Sequence, residues 1–214
     1  MKTRNLFLTF LLFAALGFAA GDDCVVQSLE GGVQIREPFQ NDWVRAKKGI
    51  VLKDHSTIRS QSNGRARIRT YSGEPFVLPP EAQIEVSDLR QLSREDLMME
   101  LTAIEMQKLP EQNQETKAET ALVLHGAVHE TRDLEAIRKE FVELETNGAL
   151  SLFHQGFISG FIVKANRLMV QFPEENFLDL AAELIQAYDA MKMPSRKQAF
   201  IDRINRTGVL HNEE

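Results

Sequence analysis

The 214-residue sequence has one cysteine, one tryptophan, two tyrosines and no surplus of basic charge. A lone Cys24 excludes an intramolecular disulfide framework and any cysteine-based zinc cluster. Lys plus Arg number 25 against 31 Asp plus Glu, a net charge of −6. That balance argues against nucleic acid as a partner, which requires a concentrated basic surface. Apolar residues at 43% and charged residues at 26% are ordinary globular usage, so neither wholesale disorder nor a collagen-like repeat fits. Long hydrophobic runs are scarce as well; Leu6 to Ala20 forms one and no second follows.

That run has the layout of an export signal. Lys2 and Arg4 supply a positive start, the apolar stretch follows, and Gly17 with Ala19, or Ala19 with Gly21, gives the small-x-small pattern of a cleavage site. The stretch falls short of the roughly 20 residues that span a bilayer. Residues 1–21 therefore read as a secretory signal peptide, with an uncleaved anchor as the alternative. Asp22 and Asp23 precede Cys24, which does not suit a lipidated cysteine, and leaves Cys24 either buried and inert or free for an intermolecular bridge. The expected location is the periplasm, with membrane contact only through a partner or an uncleaved signal.

From residue 24 to 90 the apolar residues come in short alternating runs separated by turn chemistry: Glu30-Gly31-Gly32, Lys48-Gly49, Asp54-His55, Ser62-Asn63-Gly64, Ser72-Gly73 and Pro79-Pro80. About six to eight short strands at this spacing predict an all-β sandwich or roll. Asn63-Gly64 predicts a hairpin, because both residues accept the positive φ of a type I′ turn. From Ser93 the period becomes helical. Ser93 with Asp96 resembles a capping pair, Leu97, Leu101 and Ile104 form one face, and Pro110 closes a connecting helix over 91–110. Residues 111–120 read as a polar linker that lets two parts orient separately. Residues 121–214 read as a helical domain of four to five helices in hairpins. In it Asn147-Gly148 offers a break, Gly156 and Gly160 split the apolar stretch from Leu150 to Phe172, and Pro173 and Pro194 act as stops. The fold class is thus α+β and multidomain, an all-β part followed by an all-α part.

The β region also carries a set of matches: Gly32-Val33-Gln34-Ile35-Arg36, Trp43, Gly49, Leu52-Lys53-Asp54, Ile58-Arg59-Ser60, Ala66-Arg67-Ile68, Ser72-Gly73 and Leu78-Pro79. Together they resemble the FecR-type domain, with Lys53 where that family has Gly and Ser60 where it has Thr. The resemblance implies a periplasmic β domain that binds a partner. The helical part more weakly resembles tetratricopeptide hairpins, since Gly156 and Pro173 suit the mid-repeat Gly and terminal Pro, although Phe161 stands where a small residue is usual.

Several constellations invite a chemical reading. His125 and His129 lie four apart with Glu130 next, yet lack the Glu directly after the first His of a zinc protease, and Gly126 weakens a helix there. Asp54-His55-Ser56 are adjacent, so their side chains diverge and do not form a triad. The carboxylates of 95–105 and 135–145 read as solvated helix faces, and Phe177, Tyr188, Met191, Met193 and Phe200 as core. Arg65, Arg67 and Arg69 alternate with Ala66, Ile68 and Thr70, which places three guanidiniums on one face of a strand. Arg59 is expected on the partner strand, completing a basic stripe for an acidic partner or anionic polymer. No catalytic residue, metal or cofactor is expected. The sequence predicts a non-enzymatic binding or scaffold protein of the cell envelope, engaging an envelope protein or cell-wall polymer. The alternative is a signalling accessory that senses an envelope state and relays it through a membrane regulator.

Overall fold

The strand Arg65–Arg69 buries Ala66 and Ile68 completely and leaves Arg65 and Arg67 exposed, and the same alternation builds every sheet of the β region. The structure, a computed structural model, describes residues 23–106 and 131–207. Eight short strands run in order: β1 (Cys24–Glu30), β2 (Val33–Arg36), β3 (Val44–Arg45), β4 (Val51–Leu52), β5 (Thr57–Ser60), β6 (Arg65–Arg69), β7 (Pro75–Leu78) and β8 (Gln83–Glu85). They form two four-stranded antiparallel sheets, ordered β4-β1-β6-β7 and β3-β2-β5-β8. Val26, Ile68, Phe76 and Leu78 of the first sheet and Val33, Ile35, Ile58 and Ile84 of the second are buried in one core.

Ser72-Gly73 makes the β6–β7 hairpin, with Gly73 at φ +83° and its amide donating to the Thr70 carbonyl at 2.9 Å. Asn63-Gly64 does not make the hairpin expected of it. β5 and β6 belong to different sheets, and neither Asn63 nor Gly64 has positive φ. The turn instead crosses between sheets and packs on the Gly31-Gly32 corner. The Asn63 side-chain carbonyl accepts the Gly32 amide at 3.2 Å, and a Cβ on Gly64 would meet the Gly32 carbonyl oxygen at 2.2 Å. Glycine is needed here for close approach, not for a left-handed turn.

A 3₁₀ turn over Val86–Leu89 leads to five described helices: α1 (Arg94–Met106), α2 (Thr131–His154), α3 (Ile158–Gln171), α4 (Leu178–Ala190) and α5 (Pro194–Thr207). Ser93 caps α1, its hydroxyl accepting the Asp96 amide at 3.1 Å and donating to the Asp96 carboxylate at 2.8 Å. α2 runs through Asn147-Gly148 without a break. Gly148 lets the helix lie on β8, where a Cβ would come within 1.9 Å of the Gln83 carbonyl oxygen. Gly160 does the same for α3 on the 3₁₀ turn, where a Cβ would come within 1.9 Å of the Asp88 carbonyl oxygen. Gly156, at φ +85°, ends α2, and the Phe157 amide reaches back to the Leu152 carbonyl at 2.9 Å. Past the end of α4 at Ala190 the chain turns at Lys192, at φ +53°, and Pro194 opens α5 rather than stopping the helix before it.

The expectation that the two parts orient separately meets a shared core. Buried residues of α1 to α5 are continuous with those of the sandwich, and Phe157 packs edge-on against Phe76 with ring centroids 5.5 Å apart. At the junction the buried Lys164 ammonium lies 3.3 Å from Asp88 and bonds Glu145, which also accepts from Gln83 at 2.6 Å. Gln155 of the α2–α3 turn uses its side-chain amide to satisfy both backbone groups of Val77, at 2.7 and 2.8 Å, so the edge of β7 is covered. The linker at 111–120 and the pair His125 and His129 lie outside the described residues.

Candidate binding surface

β6 lies inside its sheet, between β1 and β7, so its outward residues sit mid-face. Arg65, Arg67 and Arg69 project from that face at a repeat of about 7 Å, set by the two-residue period of a strand. Their direct neighbours on β1 are Glu30, Ser28 and Val25. On β7, Arg67 and Arg69 face Val77 and Pro75. Among the described residues none of these three guanidiniums makes an ion pair, whereas Arg90, Arg138, Arg167 and Arg196 each have a carboxylate. An unpaired row of cations on an acidic chain is free to meet an anionic partner without first breaking internal bonds.

Arg59 is elsewhere. It stands on β5, in the second sheet, so the four arginines do not make one stripe. Its Nε donates to Gln34 Oε1 at 2.9 Å, and its guanidinium lies 4.0 Å from the centre of the Trp43 ring. The Arg36 guanidinium approaches the same ring to 4.8 Å. Burial pulls the Arg59 pKa below its ordinary value, with Arg36 acting in the same direction and Glu140 opposing. Beside Arg59 opens a cleft of about 320 Å³ between the second sheet and α2, lined among others by Gln34, Gln61, Glu81, Glu140 and Glu143. Sequence reasoning missed this grouping. Its one available signal was Gln34 and Arg36 alternating outward on β2, and only the strand order brings Trp43 and Arg59 to them.

The remaining chemical candidates are drawn apart. Asp54 accepts the Tyr71 hydroxyl at 2.5 Å and pairs with Arg90, while His55 Nδ1 bonds Glu85 at 2.8 Å. Ser56 points into the interior, where its hydroxyl has no hydrogen-bond partner among the described residues. These three adjacent residues serve three different surroundings. Cys24 is fully buried, and burial pushes its thiol up to about 11, so it is protonated at neutral pH and a poor nucleophile. Phe177, Tyr188, Met193 and Phe200 are core, with the Tyr188 hydroxyl accepting from Asn166 at 3.0 Å. Among the described residues no group of three or more His, Cys, Asp or Glu side chains is placed to hold a metal ion, and no helix is long and apolar enough to cross a membrane. No family model, curated protein or solved structure matches the chain.

Proposed function

We propose that the chain is a non-enzymatic binding or scaffold protein of the cell envelope. Its FecR-like β-sandwich engages an anionic partner, an envelope protein or a cell-wall polymer, and its tetratricopeptide-like helical part braces the sandwich. The observation that carries this reading is the unpaired row of Arg65, Arg67 and Arg69 on the middle of one sheet face. The signal-like residues 1–21 support export to the periplasm. A rigid, single-core body presents the row at fixed spacing, which suits recognition by charge pattern rather than by a closing cleft.

Crosslinked affinity purification from the native envelope tests the reading, with mass spectrometry locating the mature N-terminus. One dominant partner, captured by the wild type and lost in Arg65→Gln/Arg67→Gln, with a mature start near residue 20, is the expected result. Glutamine is the right replacement because Glu30 lies directly across from Arg65, and a second carboxylate there would add a like-charge clash. Equal capture by both proteins contradicts the reading. An intact N-terminus with a membrane regulator captured would favour the signalling role instead.

A further inference from the structure

The cleft beside Arg59 lies on the second sheet, apart from the arginine row, and it holds an unusual distribution of charge. Glu140 and Glu143 line it from successive turns of α2, Glu81 lines it as well, and Arg59 stands on the sheet side. Flexible arginine and glutamate side chains this close ordinarily collapse into an ion pair. Here they do not: among the described residues Arg59 has no carboxylate within 4.0 Å, and Glu81, Glu140 and Glu143 have no cation within that distance.

The separation has a structural cause. Gln34 fixes the Nε of Arg59 and Trp43 covers the guanidinium, so the arginine is held on the sheet with its terminal nitrogens uncommitted among the described residues. Gly148 and Asn147 fix α2 on the far side, the Asn147 amide donating to the Glu81 carbonyl at 2.7 Å. Opposite charges are thus held apart across a cleft of about 320 Å³, within the size range of small-ligand sites.

We infer that this cleft binds an amphoteric peptide segment, whose carboxylate bonds Arg59 and whose ammonium sits between Glu140 and Glu143. A guanidinium with free terminal nitrogens is suited to two-point bonding of a carboxylate, and a pair of carboxylates suits the point charge of an amine. Pre-separation of the charges means that a ligand need not break an internal salt bridge to enter. The site is independent of the arginine row, so either can fail without the other.

Trp43, the sole tryptophan, reports on the site through Arg59, whose guanidinium lies 4.0 Å from its ring centre. The experiment is a fluorescence titration of the full chain with acetyl-Glu-Ala-Lys-amide, and with its Glu→Gln and Lys→norleucine analogues. The expected result is a saturable change in Trp43 emission in the millimolar range or tighter, weakened about tenfold or more when either probe charge is removed. Glu140→Gln, on an exposed helix face, should weaken binding by a similar factor with an unchanged far-UV spectrum. Arg59→Gln should do the same, and Glu140→Gln keeps the test alive should Arg59→Gln fold poorly. No saturable change up to about 10 mM, or equal binding of the three peptides, would overturn the inference. So would full binding by the lysine-only analogue, which would mark the cleft as a simple cation site.

Discussion

An alanine at Gly148 would place its Cβ 1.9 Å from the Gln83 carbonyl oxygen, and one at Gly160 would meet the Asp88 carbonyl oxygen at the same distance. On an exposed helix either change would stabilise by about 0.5–1 kcal/mol. At these two positions the clash wins, and each substitution is expected to destabilise by about 1–3 kcal/mol or more, read as a shift in the denaturation midpoint. A gain in stability would show that the helices do not lie this close to the sandwich. Asp54 gives a second residue-level test. The Tyr71 hydroxyl bond holds its carboxyl below the ordinary 3.8, burial opposes and Arg90 adds to the lowering. A lowered folded pKa contributes stability above pH 3.8 that is lost as pH falls through the folded value. The stability gap between wild type and Asp54→Asn should therefore be widest near neutral pH and narrow below pH 3.8. A gap that does not change with pH would mean the bond tunes nothing.

Element by element, what was legible followed local rules. Alternation located the strands, because burial on one face imposes a period of two on residues such as Arg65 to Arg69. Ser93 with Asp96 marked the start of α1 because a cap is formed by residues three apart. What failed depended on distant partners. Asn63-Gly64 carries a hairpin signature, yet the glycine is explained by Gly32, which only the sheet crossing brings near. Gly148 looks like a helix break in sequence, and its reason is a strand residue more than sixty positions away. The arginine row lies on one strand and was readable. Arg59 was misplaced because alternation reveals which way a side chain points, not which strand lies beside it. The helix α1 offers a small check on the local rules: Ser93→Ala should cost about 1 kcal/mol, measured by urea denaturation. No measurable loss would mean the cap contributes nothing.

At the scale of the molecule, the β and helical parts share a core, with Lys164, Asp88 and Glu145 buried at their junction. The two parts should accordingly unfold together. Trp43 fluorescence, which reports on the sandwich, and far-UV ellipticity, dominated by the helices, are expected to give coincident denaturation curves. Two separated midpoints would show independent units. The shared core bears on the proposed role, since a row of cations recognises a charge pattern only if the face that carries it does not deform. The most direct test of the account is salt-dependent co-sedimentation of the purified chain with its native envelope fraction, wild type beside Arg65→Gln/Arg67→Gln/Arg69→Gln. Binding by the wild type is expected to weaken as salt rises, with little binding by the triple variant at any salt. Salt-insensitive binding shared equally by both proteins would contradict it.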